Sequence, residues 1–422
     1  MGVAEGLALV FMVTFVPIFM TMPAVSVNAA DTLGWLATLV HGIVSMLAFA
    51  ILCYVFTHVE GDLYEVCEIL LGRMGAWIIS LYFCVAFFAN YVVILRQFAE
   101  NTLLTALPQA DFAVIISAYA IAAGILVYLG IEGMSRASFL ILPFAVSALL
   151  AVLLLLVPFY NWYHLFPLQG NGIMRTLTYG ASVAGLNIGV FGLAVIAKSF
   201  QNRKTVKDCS LYGLGLSTGL RGFSVFVYIL TFGLPVAKEK MLPFFEMARL
   251  VYLSRYLQRI EALFILLWVI IGVLGAAFSL YFGLFLITRV FRLPTFRPLI
   301  PSISIMLAML SINESGKIDN CKIAILQSCI LGNYHLGMTG ALALQLFIDI
   351  LIANFCDRLL DLQILVLPKC YLWLGYHNSL KNQRLVFLQC HHFNLRSGYR
   401  INVLLLQRLG ISRAGHNFKS LI

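Results

Sequence analysis

Apolar runs of about twenty residues, separated by short polar stretches, recur from the N-terminus to about residue 312. A helix needs roughly 20 mostly apolar residues to cross the hydrocarbon of a bilayer, where each unpaired backbone group costs several kcal/mol. The pattern predicts spans near 7–27, 34–57, 76–98, 112–131, 138–158, 179–200, 210–234, 260–288 and 298–312. The expected fold is an all-α integral membrane protein, a multi-pass helical bundle. The run opening at Gly6 lacks a preceding basic stretch and a small-residue cleavage site, so it reads as a first span and not a signal peptide.

Two spans are interrupted, five spans apart. In the first, Pro17 and Pro23 bracket Ile18-Phe19-Met20-Thr21-Met22; the sixth carries Gly180, Gly185, Gly189 and Gly192 around Asn187. Proline removes a backbone donor and clashes with the preceding turn, and each glycine lowers helix preference by roughly 1 kcal/mol relative to alanine. Broken helices at matching positions of two halves point to a transporter-type site, where freed amides and carbonyls meet a carboxylate or an ion. Ordinary kinks and close helix packing are the competing explanation, and the residues alone leave the choice open. The eighth span has no charge between Glu261 and Arg289, and Gly272, Gly275, Ser279 and Gly283 give it one small-residue face. Close packing of a neighbouring helix accounts for that face more simply than a ligand does.

Composition agrees with the spans. Hydrophobic residues make up 61% and charged residues 11%, far from the balance of a soluble domain. The formal charge of +10 raises the question of nucleic acid, but the basic residues sit in short loops between apolar runs, and membrane topology explains them better. With the N-terminus cytoplasmic, the inner loops hold Arg73, Arg136, Lys198, Arg203, Lys204, Lys207, Arg289, Arg292 and Arg297. The outer loops hold Arg175, Lys238, Lys240, Arg249 and Arg255. No nucleic-acid partner is expected. Nine cysteines include no CxxC pair, and Cys390-His391-His392 has no second pair at finger spacing, so neither a disulfide framework nor a metal site is expected. Nucleophile-elbow, P-loop and HExxH patterns are missing, no cofactor is implied, and the chain is not expected to be an enzyme. Arg96 and Glu100, at i and i+4 near a span end, should pair.

Specific motifs add to this reading. Leu242-Pro243-Phe244-Phe245-Glu246-Met247-Ala248-Arg249-Leu250, followed by Arg259-Ile260-Glu261-Ala262-Leu263-Phe264, resembles the F-P-x-x-E-x-A-R and R-x-D/E-A-x-F signature of the spore germination permease family. That family supplies the integral-membrane subunit of bacterial spore germinant receptors. Leu63-Tyr64-Glu65-Val66-Cys67-Glu68-Ile69-Leu70-Leu71-Gly72 resembles its loop after the second span, Tyr128-Leu129-Gly130-Ile131-Glu132 its Y-x-G-I-E turn, and Arg297-Pro298-Leu299 the start of its ninth span. The likeness runs from about residue 15 to 312.

The resemblance implies a transporter-like bundle of inverted five-span repeats, as in the amino acid, polyamine and organocation transporter superfamily. It implies a nutrient germinant receptor subunit in the spore inner membrane or cell membrane, binding a small-molecule germinant, typically an amino acid. A larger membrane subunit and a lipoprotein subunit would be its partners. An amino acid permease is the alternative, and a structural scaffold with no small-molecule response is a third reading. The family often places an acidic residue at the sixth-span break, where this chain reads Gly185-Leu186-Asn187-Ile188-Gly189, so a cationic germinant would lack its partner. A short cytoplasmic lead before the first span is expected to be missing.

Two regions are therefore expected: a permease-like domain over 1–312 and an atypical tail over 313–422. The tail holds five of the nine cysteines and five of the eight histidines, and no tenth span is recognisable in it. A frameshift near Ser311 that replaced the native ending would account for this change. The candidate ligand site lies between the two breaks. A zwitterion's carboxylate would rest on amides near Thr21, Met22 and Pro23, its ammonium near Gly185, Asn187 and Gly189. Tyr91 would close one side, as in similar transporters, though plain core packing explains Tyr91 equally well.

Overall fold

The computed structural model describes residues 1–58, 61–184, 188–200, 203–251 and 261–313. The proposed tail, from 314 onward, with Cys390-His391-His392, lies outside the described residues. All described residues fall in one compact unit. Helices follow one another as α1 (Val3–Phe15), α2 (Met22–Ala30), α3 (Gly34–His58), α4 (Leu63–Thr105), α5 (Phe112–Leu155), α6 (Ile173–Ala184), α7 (Ile188–Val195), α8 (Arg203–Glu239), α9 (Pro243–Leu250), α10 (Glu261–Phe291) and α11 (Leu299–Asn313). No strand occurs among the described residues. Among the described residues, five helical stretches are long and apolar enough to cross a bilayer.

Helix α5 has 44 residues, which at about 1.5 Å each is roughly twice the hydrocarbon thickness. It does not run straight. Gly130, at φ 80° and ψ 178°, breaks it into two legs that correspond to the expected fourth and fifth spans. Only glycine adopts that conformation without strain, which explains the glycine of the Tyr128–Glu132 motif. Gly72 divides α4 likewise, separating the short helix Leu63–Leu71 from the third span. Asp62 caps that short helix: Glu65 N–H donates to Asp62 Oδ1 at 3.1 Å, and Asp62 N–H donates to Glu65 Oε2 at 3.3 Å.

The most extensive pairings are α4 with α10 and α3 with α8. These are the third span against the eighth and the second against the seventh, so equivalent elements of the two repeats face each other around the first and sixth spans. Short helices fit the same scheme, since Leu63–Leu71 precedes the third span and α9 precedes the eighth. On α10 the small-residue face meets bulky side chains. A Cβ on Gly272 would lie 2.2 Å from the Phe98 ring and one on Gly283 2.4 Å from the Phe88 ring, and Ser279 Oγ accepts from Asn90 Nδ2 at 2.7 Å. Close helix packing is what this face does. Lipid-facing positions are apolar, as at Ile78, Val85, Ile121 and Leu140, all more than half exposed.

Ion pairs fall into groups that match the expected topology. Arg136 lies 3.8 Å from Glu5, Lys198 pairs with Glu65, Arg289 Nη2 lies 2.8 Å from Asp62 Oδ2, and Arg292 lies 3.9 Å from Glu68. All four bases are ones expected inside. Of those expected outside, Lys238 pairs with Asp31 at 2.5 Å and Lys240 with Glu246 at 3.4 Å. Arg96 and Glu100 pair at 2.8 Å, as their spacing predicts.

Candidate functional site

The first span comes apart where its prolines predict. Helix α1 ends at Phe15, a tight 3-10 turn carries Val16–Phe19, Met20 is extended (φ −94°, ψ −158°), and α2 starts at Met22 with Pro23 in its first turn. In the sixth span, α6 is described to Ala184 and α7 from Ile188; the expected break at 185–187 lies outside the described residues. A cavity of about 130 Å³ lies between the broken first span and helices α6 and α7 and is walled by α3, α4 and α8.

The expected site residues divide into three groups. Thr21, Met22 and Gly189 line the cavity. Pro23 is buried in the first turn of α2 and is not part of the lining. Gly185 and Asn187 lie outside the described residues. Gly189 is a point of close approach, since a Cβ there would sit 2.6 Å from Val13 Cγ1, so α7 packs directly on α1.

Tyr91 does not line the cavity. Its side chain is fully buried and its hydroxyl lies 3.0 Å from Ser304 Oγ on α11. The reason is helical phase. Asn90, Val93, Ile94 and Gln97, at i, i+3, i+4 and i+7, form the cavity face of α4, and a residue one step on from Asn90 points about 100° away.

Two basic side chains in the lining were not anticipated. Arg221, on α8, is 3% exposed; its Nη1 donates to Thr14 O at 3.2 Å and its Nη2 to Met22 Sδ at 3.7 Å. Nε has no partner among the described residues. His41, on α3, is buried, and its Nδ1 has none either. No Asp or Glu lines the cavity among the described residues. The sequence carried a signal for Arg221: it is an arginine inside the apolar run 210–234, and an ionisable residue within a span marks a functional position by default. Among the described residues no set of three or more His, Cys, Asp or Glu is placed to hold a metal ion.

Two inverted halves with a cavity between the broken first span and the sixth define a membrane permease of the transporter-fold class. Solved structures agree with that class. MhsT in complex with L-phenylalanine aligns with a TM-score of 0.59 at 15% identity, covering 83% of this chain and 91% of that one. Mhp1, a nucleobase-cation-symport-1 family transporter in a closed conformation with bromovinylhydantoin bound, aligns at 0.58 with 12% identity over 78% and 75%. A manganese transporter of Eremococcus coleocola aligns at 0.53 with 12% identity over 97% and 91%. Likeness at such identities shows the fold. A search of curated proteins found no match. A family model described as spore germination protein matches residues 3–317, and the chain belongs to that family.

Proposed function

We propose that the chain is the membrane-embedded subunit of a nutrient germinant receptor in the spore inner membrane, binding a small molecule such as an amino acid and helping to trigger germination. The observation that carries this reading is the cavity between the broken first span and the sixth in a chain of the spore germination family. Its walls are mostly apolar, with a few polar groups that would fix a ligand's orientation, as in small-molecule sites generally. The ligand's carboxylate sits beside Thr21 and Met22 at the start of α2, where the first amides of a helix have no intrahelical partner and the dipole favours an anion. Gly189 lets α7 close against α1 on the opposite side. A larger membrane subunit and a lipoprotein subunit complete the receptor.

A working amino acid permease is the second reading, favoured by the likeness to transporters. The fifth span, however, offers no lysine between Ser138 and Pro158 that could take the place of a bound cation, which suits sensing better than coupled transport. Spores lacking the gene, tested against a nutrient panel for loss of refractility and cation release, separate the two. The receptor reading predicts a lost response to one nutrient class, restored by the intact gene. Normal germination with reduced amino acid uptake in growing cells would overturn it in favour of the permease.

A further inference from the structure

We infer that Arg221 anchors the ligand's carboxylate, so that the site selects small carboxylate-bearing molecules with uncharged, apolar side chains and rejects cations that lack a carboxylate. This rests on the reading of the cavity as a ligand site and adds to it a counter-charge and a ligand class.

The argument starts from an imbalance. A guanidinium buried away from water without an opposite charge is costly, and buried cations are ordinarily paired with carboxylates. Arg221 is 3% exposed, yet its partners are one backbone carbonyl and one thioether, with Nε unpaired among the described residues. It lines a cavity in which no described acidic residue is present. The opposite charge is therefore supplied by what enters the cavity.

The guanidinium fork matches the two oxygens of a carboxylate, and a charge-assisted pair of this kind is about twice as strong as a neutral hydrogen bond. The neighbours suit the same group. Met22, whose sulfur Arg221 touches, opens α2, so the positive end of that helix and the guanidinium converge. The remaining walls include Val13, Val16, Val25 and Ile94, which leave room for an apolar side chain, and no described acidic residue to neutralise a second positive charge.

Arg221 could instead serve only to pin Thr14, and ligand charge distinguishes the two roles. The full chain, purified into lipid nanodiscs, would be assayed by thermal shift with four probes of one carbon frame. L-Leucine carries both charges, 4-methylpentanoate only the carboxylate, and leucinamide and 3-methylbutylamine only the ammonium; matching sets on alanine and phenylalanine frames cover side-chain size. The expected result is stabilisation by probes that carry a carboxylate on at least one frame and none by amide or amine. Arg221→Gln should weaken carboxylate binding on the order of a hundredfold, with partial rescue by Arg221→Lys. Should Arg221→Gln fail to fold, the wild-type ranking of the four probes and the Arg221→Lys variant still decide. Amines or amides binding as well as carboxylates, or carboxylates binding unchanged to Arg221→Gln, would overturn the role of Arg221 while leaving a small-molecule site. No stabilisation by any probe on any frame would overturn the ligand site itself.

Discussion

Charge is handled in opposite ways at the end of the bundle near Gly72 and at its centre. Near Gly72, Asp62 is almost fully buried but sits 2.8 Å from Arg289 Nη2 and caps a helix, while Glu65 pairs with Lys198. Burial pushes the Asp62 carboxyl above its ordinary range, against the pull of the Glu65 amide and of Arg289. Glu65 shares the burial penalty, but its hydrogen bond to Lys198, the Asp62 amide and the nearby positive charges outweigh it, and its pKa falls below the ordinary carboxylate range. At the centre, Arg221 is equally hidden and has no such partner. Charges that hold helices together are matched within the chain; a charge left unmatched at a cavity is reserved for something that arrives from outside.

The contrast gives stability effects of different size and sign. Arg289→Ala leaves Asp62 buried without its cation and should cost about 3 kcal/mol, read as a lowered melting temperature of the purified protein. Arg221→Gln removes a charge that was never paired, so the ligand-free protein should change by less than about 1 kcal/mol in either direction. A loss as large as that of Arg289→Ala would erase the distinction. The smallest effect is acid sensitivity. Because the folded Glu65 pKa lies below its unfolded value near 4.5, its contribution is present above that value and fades as pH falls through the folded one. Glu65→Gln should therefore be slightly less stable than wild type at neutral pH, and the two melting curves should converge on acidification.

Much of this arrangement was legible in the sequence. Span positions follow from the length of apolar runs, and the break in the first span falls where proline weakens the helix, with Met20 extended between Pro17 and Pro23; the expected sixth-span break lies outside the described residues. Gly130 marked the turn between the fourth and fifth spans because its backbone conformation excludes side chains. The rotation of a fully apolar helix was not legible. Tyr91 and Asn90 are neighbours on α4, and nothing in their local sequence says which one faces the cavity and which faces Ser304. That phase is set by packing against α10 and α11. Arg221 was visible, but a count of loop charges passes over an arginine inside a span; its meaning depends on the cavity beside it.

The most direct test of the account is the germination response of spores carrying Gly189→Trp or Thr21→Leu, with protein levels measured in the same spores. Thr21 lines the cavity, so Thr21→Leu fills it, and a Cβ on Gly189 would lie 2.6 Å from Val13 Cγ1, so Gly189→Trp forces α7 away from α1 at the cavity wall. The account predicts a lost or strongly weakened nutrient response at normal protein level for both. A full response from either variant at normal level would contradict the placement of the ligand between the first and sixth spans.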